Sequence, residues 1–392
     1  MREVVRVNAV TVRLLRTHAR RLLAPMLLLA LAACARPEGV LVPVEVGDAS
    51  AAGAGKVDML VATTRAPSET EGVVFTGERG GGLALTNIVV SIPPGRPVGS
   101  IQWPSRIPAD PAREFAVTRV DPVGRPEAKA WFQRQPRDKR RVLVFVHGFN
   151  TRFDASVFRF AQFVHDTGTN YVPVLFTWPS RGRVTDYIYD RESANFSRSD
   201  LAYVLEAAAK SPHVDEVVVL AHSMGAWLAM ESLRQLALSD GRVPAKITNV
   251  VLASPDLDID VFERQMQELG PKRPQVTIFV SRNDSALGLS RLLAGQVQRV
   301  GAVDLSDPAY SARLEQATGI VVLDLTALQG GDALNHSKFA TQPDMVRLLG
   351  DSLASGQSIS DDPGPATSAV QTIGGAVGTV VTAPIQVFTA GR

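Results

Sequence analysis

The chain has 392 residues, 45% of them hydrophobic and 20% charged, with a formal net charge of +2. This length and balance suit one large α/β domain or two smaller ones and exclude a disordered chain. Six arginines against Glu3 put +5 on residues 1–33 and leave −3 on the remainder, so the basic pI of about 8.8 gives no case for a nucleic-acid partner.

Arg20-Arg21 precedes Leu22–Ala33, an apolar run broken only by Pro25. Twelve helical residues span roughly 18 Å, short of a bilayer core of roughly 30 Å, so the pattern reads as an export signal over 1–33. Its end, Leu31-Ala32-Ala33-Cys34, resembles a bacterial lipobox, and Cys34 is the only cysteine. That resemblance implies cleavage before Cys34 and lipidation of its thiol. Ala35 at the next position points to the outer membrane of the cell envelope by lipoprotein sorting rules. A lone cysteine also excludes an intrachain disulfide framework.

Residues 34–56 read as a tether. A β-rich section is expected over 57–130, with strands at Met59–Thr63, Asn87–Ile92 and Phe115–Val120. Gly77-Glu78-Arg79-Gly80-Gly81-Gly82 lacks the Lys-Ser/Thr of a phosphate-binding loop and reads as a turn between two of them. From Arg141 the pattern changes. Continuous apolar runs at Arg141–His147, Tyr171–Thr177, Glu216–Ala221, Ile247–Ala253, Gln275–Ser281 and Gly319–Leu325 suit strands covered on both faces. Helical periodicity lies between them at Asp154–His165, Ser199–Lys210 and Ala226–Leu238. Asp256–Pro274 and Ser285–Glu315 are candidate helices flanking the site. The alternation predicts an α/β fold over 57–350, a mostly parallel sheet with helices on both faces. Residues 351–392 read as a flexible tail, with room for a short ordered patch near Val377–Phe388.

The chemistry centres on Ser223. A β-branched run ends in Ala221-His222-Ser223-Met224-Gly225 and a helical segment follows, the pattern that lifts a serine hydroxyl on a strand-to-helix turn. Ala221 replaces the first glycine of the usual G-x-S-x-G. A serine hydroxyl needs a base, the base an orienting carboxylate, and the carbonyl oxygen a pair of donors. Met224 N–H, at the helix start, is one expected donor, and Gly225 lets the helix begin without a clash. His147-Gly148-Phe149-Asn150 follows an earlier strand, and Phe149 N–H is the other expected donor, with His147 and Gly148 shaping the loop. Asp284 follows the strand ending at Ser281 and is the expected acid. Asp256 and Asp258, after the preceding strand, are alternatives. Only His336 among the six histidines follows the acid, and it is the expected base. Trp178-Pro179-Ser180 and Tyr187–Ser197 can either line the pocket or pack.

On these residues the sequence resembles the α/β-hydrolase superfamily and, more narrowly, a bacterial esterase/lipase-like family of poorly defined substrate. Ala62-Thr63-Thr64-Arg65, Val90-Ser91-Ile92-Pro93 and Ser254-Pro255-Asp256 also match, as do Ser281–Leu287 and Asn335-His336-Ser337, so the resemblance covers Val57–Gly350. It implies a serine hydrolase acting on a small-molecule or lipid ester, with no cofactor; no metal-binding motif is present. The alternative is an envelope lipoprotein using the fold as a binding or scaffold module.

Overall fold

The computed structural model describes residues 37–47, 53–136, 140–308, 319–328, 332–355, 370–373 and 376–382. The segment expected as an export signal, Cys34 and its neighbours lie outside them. The chain divides into a unit at Met1–Glu38 and a unit at Gly39–Arg392, and the fold below is that of the second.

Three strands open it: β1 (Gly55–Pro67), β2 (Phe75–Ile92) and β3 (Ala116–Val123), followed by helix α1 (Arg125–Gln133). The alternating part then runs β4 (Arg141–Val146), α2 (Phe153–Thr167), β5 (Val172–Thr177), α3 (Tyr187–Phe196), α4 (Arg198–Lys210), β6 (Glu216–His222), α5 (Met224–Asp240), β7 (Ile247–Ala253), α6 (Ile259–Leu269), β8 (Gln275–Val280), α7 (Ser285–Leu293) and β9 (Ile320–Asp324). It closes with α8 (Lys338–Thr341), α9 (Pro343–Ser355), β10 (Val370–Ile373) and β11 (Ala376–Thr382). One sheet orders them β10-β11-β9-β8-β7-β6-β4-β5-β1-β2-β3. The seven strands from β9 to β1 run parallel, and both flanks are antiparallel. This is the α/β-hydrolase fold.

The period-2 alternation of strands sorts the core into two layers. Val142, Val144 and Val146 face one layer with residues of α4, α5 and α6, while Leu143 and Phe145 face the other with Phe158, Phe160 and Phe163 of α2 and Phe339 beside them. All are buried. The six parallel strands β4 to β9 therefore read as largely apolar runs, because both of their faces are covered. Among the described residues no helix is long and apolar enough to cross a membrane.

Four local readings change. The Gly77–Gly82 segment is not a free turn: it lies inside β2, paired to β1 across two register shifts. A Cβ at Gly80 would stand 2.6 Å from the Arg65 carbonyl oxygen, so glycine there serves close strand approach. The β-rich section also holds α1, whose Pro126 sits in the first turn where its missing N–H costs nothing. The stretch expected as a tether buries Val40 and Leu41, and Leu41 N–H donates to Gly72 O at 3.1 Å. Helix α9 continues past Asp351 to Ser355, within the segment expected as a tail, while β11 pairs with β9 and overlaps the patch expected near Val377–Phe388.

A buried ion pair ties three of these parts together. Arg96, after β2, pairs with Asp166 near the end of α2. Asp166 also accepts from Gly99 N–H and from Gln162 Nε2, both at 2.7 Å, and Gln162 donates on to Ala340 O at 3.1 Å in α8. Both charged side chains are only 4% exposed, so removing one strands the other in a dry site. Asp166→Ala is expected to lower unfolding free energy by about 3–5 kcal/mol. Urea denaturation measures this, and an unchanged midpoint would refute it.

Candidate active site

Ser223 caps the N-terminus of α5 at φ 54°, ψ −123°, outside the regions ordinary residues occupy. The turn survives because its backbone is fixed on both sides. Ser223 N–H donates to Ala253 O at 3.0 Å, and its carbonyl accepts from Ala226 N–H at 3.0 Å and Asp256 N–H at 3.1 Å. The neighbouring glycines have steric reasons. A Cβ at Gly225 would lie 2.3 Å from the His147 carbonyl oxygen, and one at Gly148 would lie 2.7 Å from the Ser223 Cβ. The 147–150 loop thus presses directly against the serine. Phe149 N–H and Met224 N–H make no hydrogen bond among the described residues, which leaves two donors free beside Ser223.

The expected acid and base meet. Asp284 Oδ2 lies 2.7 Å from His336 Nδ1, with the carboxylate fully buried. Its other oxygen, Oδ1, accepts from Leu287 N–H at 3.0 Å, so Asp284 also caps α7. With Nδ1–H donating to the carboxylate, His336 Nε2 is left as an acceptor. No hydrogen bond links Ser223 Oγ to His336 among the described residues; the imidazole lies beside His222, ring centroids 4.7 Å apart.

The alternative acids sit elsewhere. Asp258 caps α6, accepting from Asp260 N–H at 2.8 Å and Val261 N–H at 3.1 Å. Asp256 accepts from Ser290 Oγ at 2.5 Å and Tyr187 Oη at 3.2 Å, and Arg299 Nε lies 3.2 Å away without hydrogen-bond geometry. Among the described residues no hydrogen bond or ion pair links either carboxylate to His336.

His147 is a buried strut. Its Nδ1–H donates to Gly148 O at 2.8 Å, while Nε2 accepts from Thr177 Oγ1 at 3.0 Å and Trp178 N–H at 3.2 Å. Burial, then the charge of Arg65, holds its pKa well below the ordinary imidazole value. Trp178 stacks on it at 4.8 Å and donates Nε1–H to His147 O at 2.8 Å, so Trp178 packs rather than lining an open pocket.

Sequence reasoning gave no role to Arg65, which the structure makes the anchor of this loop. It is buried at the end of β1 and donates to Thr177 Oγ1 at 2.8 Å, Ser180 O at 2.9 Å, Thr76 O at 3.1 Å and Thr151 O at 2.7 Å. Burial lowers its pKa to about 9, opposed by Asp190 and Asp154, so it stays charged at neutral pH. Asp190, on α3, accepts from Ser180 Oγ and from Asn150 N–H at 3.2 Å. Burial raises its pKa, while these donors and Arg65 pull it back.

The His336 loop has its own supports. Burial works against the Asp332 charge, yet backbone N–H bonds from His336 (3.1 Å), Ser337 (2.5 Å) and Leu334 (2.8 Å) hold its pKa below the ordinary value. Buried Lys338 donates to Ser281 Oγ at 3.1 Å, Asn283 Oδ1 at 2.9 Å and Leu325 O at 2.9 Å, joining the histidine loop to the Asp284 loop. The only sequence signal for either was its closeness to His336.

A family model described as "Alpha/beta hydrolase of unknown function (DUF900)" matches residues 125–352, more than half of the chain. No curated protein matches at a significant level. Among solved structures, the chain is similar to a provisionally described cell surface hydrolase from Lactobacillus plantarum WCFS1, at 11% identity and TM-score 0.35, over 57% of this chain and 94% of that one. It is similar to a provisionally described hydrolase from Agrobacterium vitis S4, at 13% identity and TM-score 0.33, over 70% and 95%. A lipase-esterase related protein from Clostridium acetobutylicum ATCC 824 matches at 13% identity and TM-score 0.22, over 46% and 72%. At these scores the likenesses add nothing to the family match.

His222 supplies a pH test of the site. Its Nε2 donates to His336 O at 3.1 Å. Burial, then the neighbouring His336, lowers its pKa to about 3. The unfolded chain binds a proton there near pH 6.5, so between about 6.5 and about 3 it holds more protons than the folded chain, and stability falls as pH falls. His222→Gln is expected to lose less stability than the wild type between pH 7 and pH 4, by urea midpoints. Equal losses would count against the assignment.

Proposed function

The chain belongs to the alpha/beta hydrolase family of unknown function (DUF900), and from that premise we propose that it is a serine hydrolase acting on carboxylic esters. The observation that carries the reading is the 2.7 Å bond between His336 Nδ1 and buried Asp284, at the sheet edge where Ser223 occupies its strained turn. Ser223 Oγ attacks the ester carbonyl carbon as its proton passes to His336 Nε2. Asp284 holds the tautomer and stabilises the imidazolium. The oxygen of the tetrahedral intermediate accepts from Phe149 and Met224 N–H, each such donor contributing on the order of 3 kcal/mol to the transition state. Collapse breaks the bond to the alkoxide, which leaves with the proton from His336. Water, deprotonated by the same imidazole, then releases the acid from the acyl-enzyme. Rotation of the imidazole toward Ser223 completes the relay on substrate binding; such bonds are often long or open without substrate.

A fluorophosphonate probe is expected to label the wild type and not Ser223→Ala. With p-nitrophenyl butyrate, Asp284→Asn should lower kcat on the order of 10⁴-fold. Equal labelling of wild type and Ser223→Ala would overturn this reading and favour a non-catalytic envelope module.

The leader supports a second part of the reading: export, with a lipid anchor at Cys34 that holds the enzyme on the outer membrane. Stable anchoring takes more than one acyl chain. Cys34→Ser is expected to move the protein from the membrane to the soluble fraction; unchanged sedimentation with membranes would sink the anchor.

A further inference from the structure

A cavity of about 390 Å³ is lined by none of the residues of the Ser223 site. Its floor is the sheet face at Leu60 and Ala62 of β1, Leu83 and Leu85 of β2, and Val174 of β5. Its walls are Ala128 and Phe132 of α1 and Val204 and Ala208 of α4. The volume falls within the range of small-molecule sites. Lys210, Ser211 and Pro212 close one end, and they precede β6, whereas Ser223 follows it. The length of β6, at about 3.3 Å per residue, separates that end of the cavity from Ser223.

The charges of the lining have one sign. Arg125, Lys129 and Lys210 contribute to it and no carboxylate does. Lys210 pairs with Glu206, and the Arg125 guanidinium lies 4.7 Å from the centre of the Tyr203 ring, which leaves the lining with surplus positive charge. An apolar chamber edged by cations matches an amphiphile with an anionic head. A methylene takes up about as much space as a water does in the liquid, roughly 30 Å³, so the chamber holds one chain of about a dozen carbons.

We propose that the cavity between α1 and α4 binds the anion of a medium-chain fatty acid, its alkyl chain over Leu60, Leu85 and Val174 and its carboxylate among Arg125, Lys129 and Lys210. The alkyl chain gains by leaving water. The carboxylate stays at the solvated rim, where Arg125 and Lys129 attract it, with Lys210 shared with Glu206, without the cost of full burial. This second site is independent of the ester reading and stands whether or not Ser223 is a nucleophile.

Isothermal titration with dodecanoate below its micellar concentration tests it on the full chain. Wild type and Ser223→Ala are each expected to bind one equivalent. Dodecylammonium and hexanoate are expected to bind at least tenfold more weakly. Ala128→Phe, whose ring adds six carbons to the chamber wall and takes the place of part of the chain, and the surface reversal Lys129→Glu/Lys210→Glu are each expected to raise Kd at least tenfold. If Ala128→Phe fails to fold, the exposed lysine pair decides. No binding by wild type, binding only to anionic vesicles, or unchanged affinity in the lysine pair variant would overturn the proposal.

Discussion

Ser223 occupies a backbone conformation, φ 54° and ψ −123°, that costs a non-glycine residue about 1–3 kcal/mol. The surrounding structure over-determines that turn. β6 enters between β4 and β7, and the Ser223 amide and carbonyl are held by Ala253, Ala226 and Asp256. The His147 carbonyl leaves no room for a side chain at position 225, and Ser223 itself leaves none at 148. The crowding leaves Ser223 itself buried, at 3% exposure, with the 147–150 loop pressed against it. Glycine at 148 and 225 is the local sequence consequence.

The loops that converge on this turn are anchored by buried charges rather than by regular secondary structure. Arg65 spreads its guanidinium over backbone carbonyls from three segments, at Thr76, Thr151 and Ser180. A planar fork of five donors can do this where a lysine cannot. Asp190 answers from α3. On the other flank Lys338 and Asp332 perform the matching task for the His336 loop. Such groups are costly to bury alone and are tolerable here because most of their hydrogen-bonding positions are filled. The rigidity of the site is therefore electrostatic in origin, laid over an apolar sheet that supplies the register.

How much of this was legible in the sequence follows the range of each interaction. Parallel strands announce themselves as apolar runs, since each is covered on both faces, and the meeting of Asp284 with His336 was readable from the order of motifs along the chain. The double role of Asp284, helix cap and histidine partner, was visible only as two competing readings; the structure shows both at once. Asp258 looked equally acidic and serves only a helix end. The Gly77–Gly82 run was misread because glycine signals turns locally, whereas here it answers a strand 14 residues earlier in the chain, where Arg65 pairs with Arg79. Arg65 itself could not be assigned a role, because all but one of the groups it holds are contributed by distant segments.

The contact between Trp178 and His147 has an optical consequence. The indole is fully buried, stacked on an imidazole that burial keeps uncharged, and fixed by its own N–H to the carbonyl one residue before Gly148. An indole immobilised in so asymmetric a setting gives a strong near-ultraviolet dichroism band. The chromophore is thus wired to the backbone beside Ser223, and, as one of four tryptophans, its share of the spectrum, taken as the difference from Trp178→Phe, reads out the integrity of that loop.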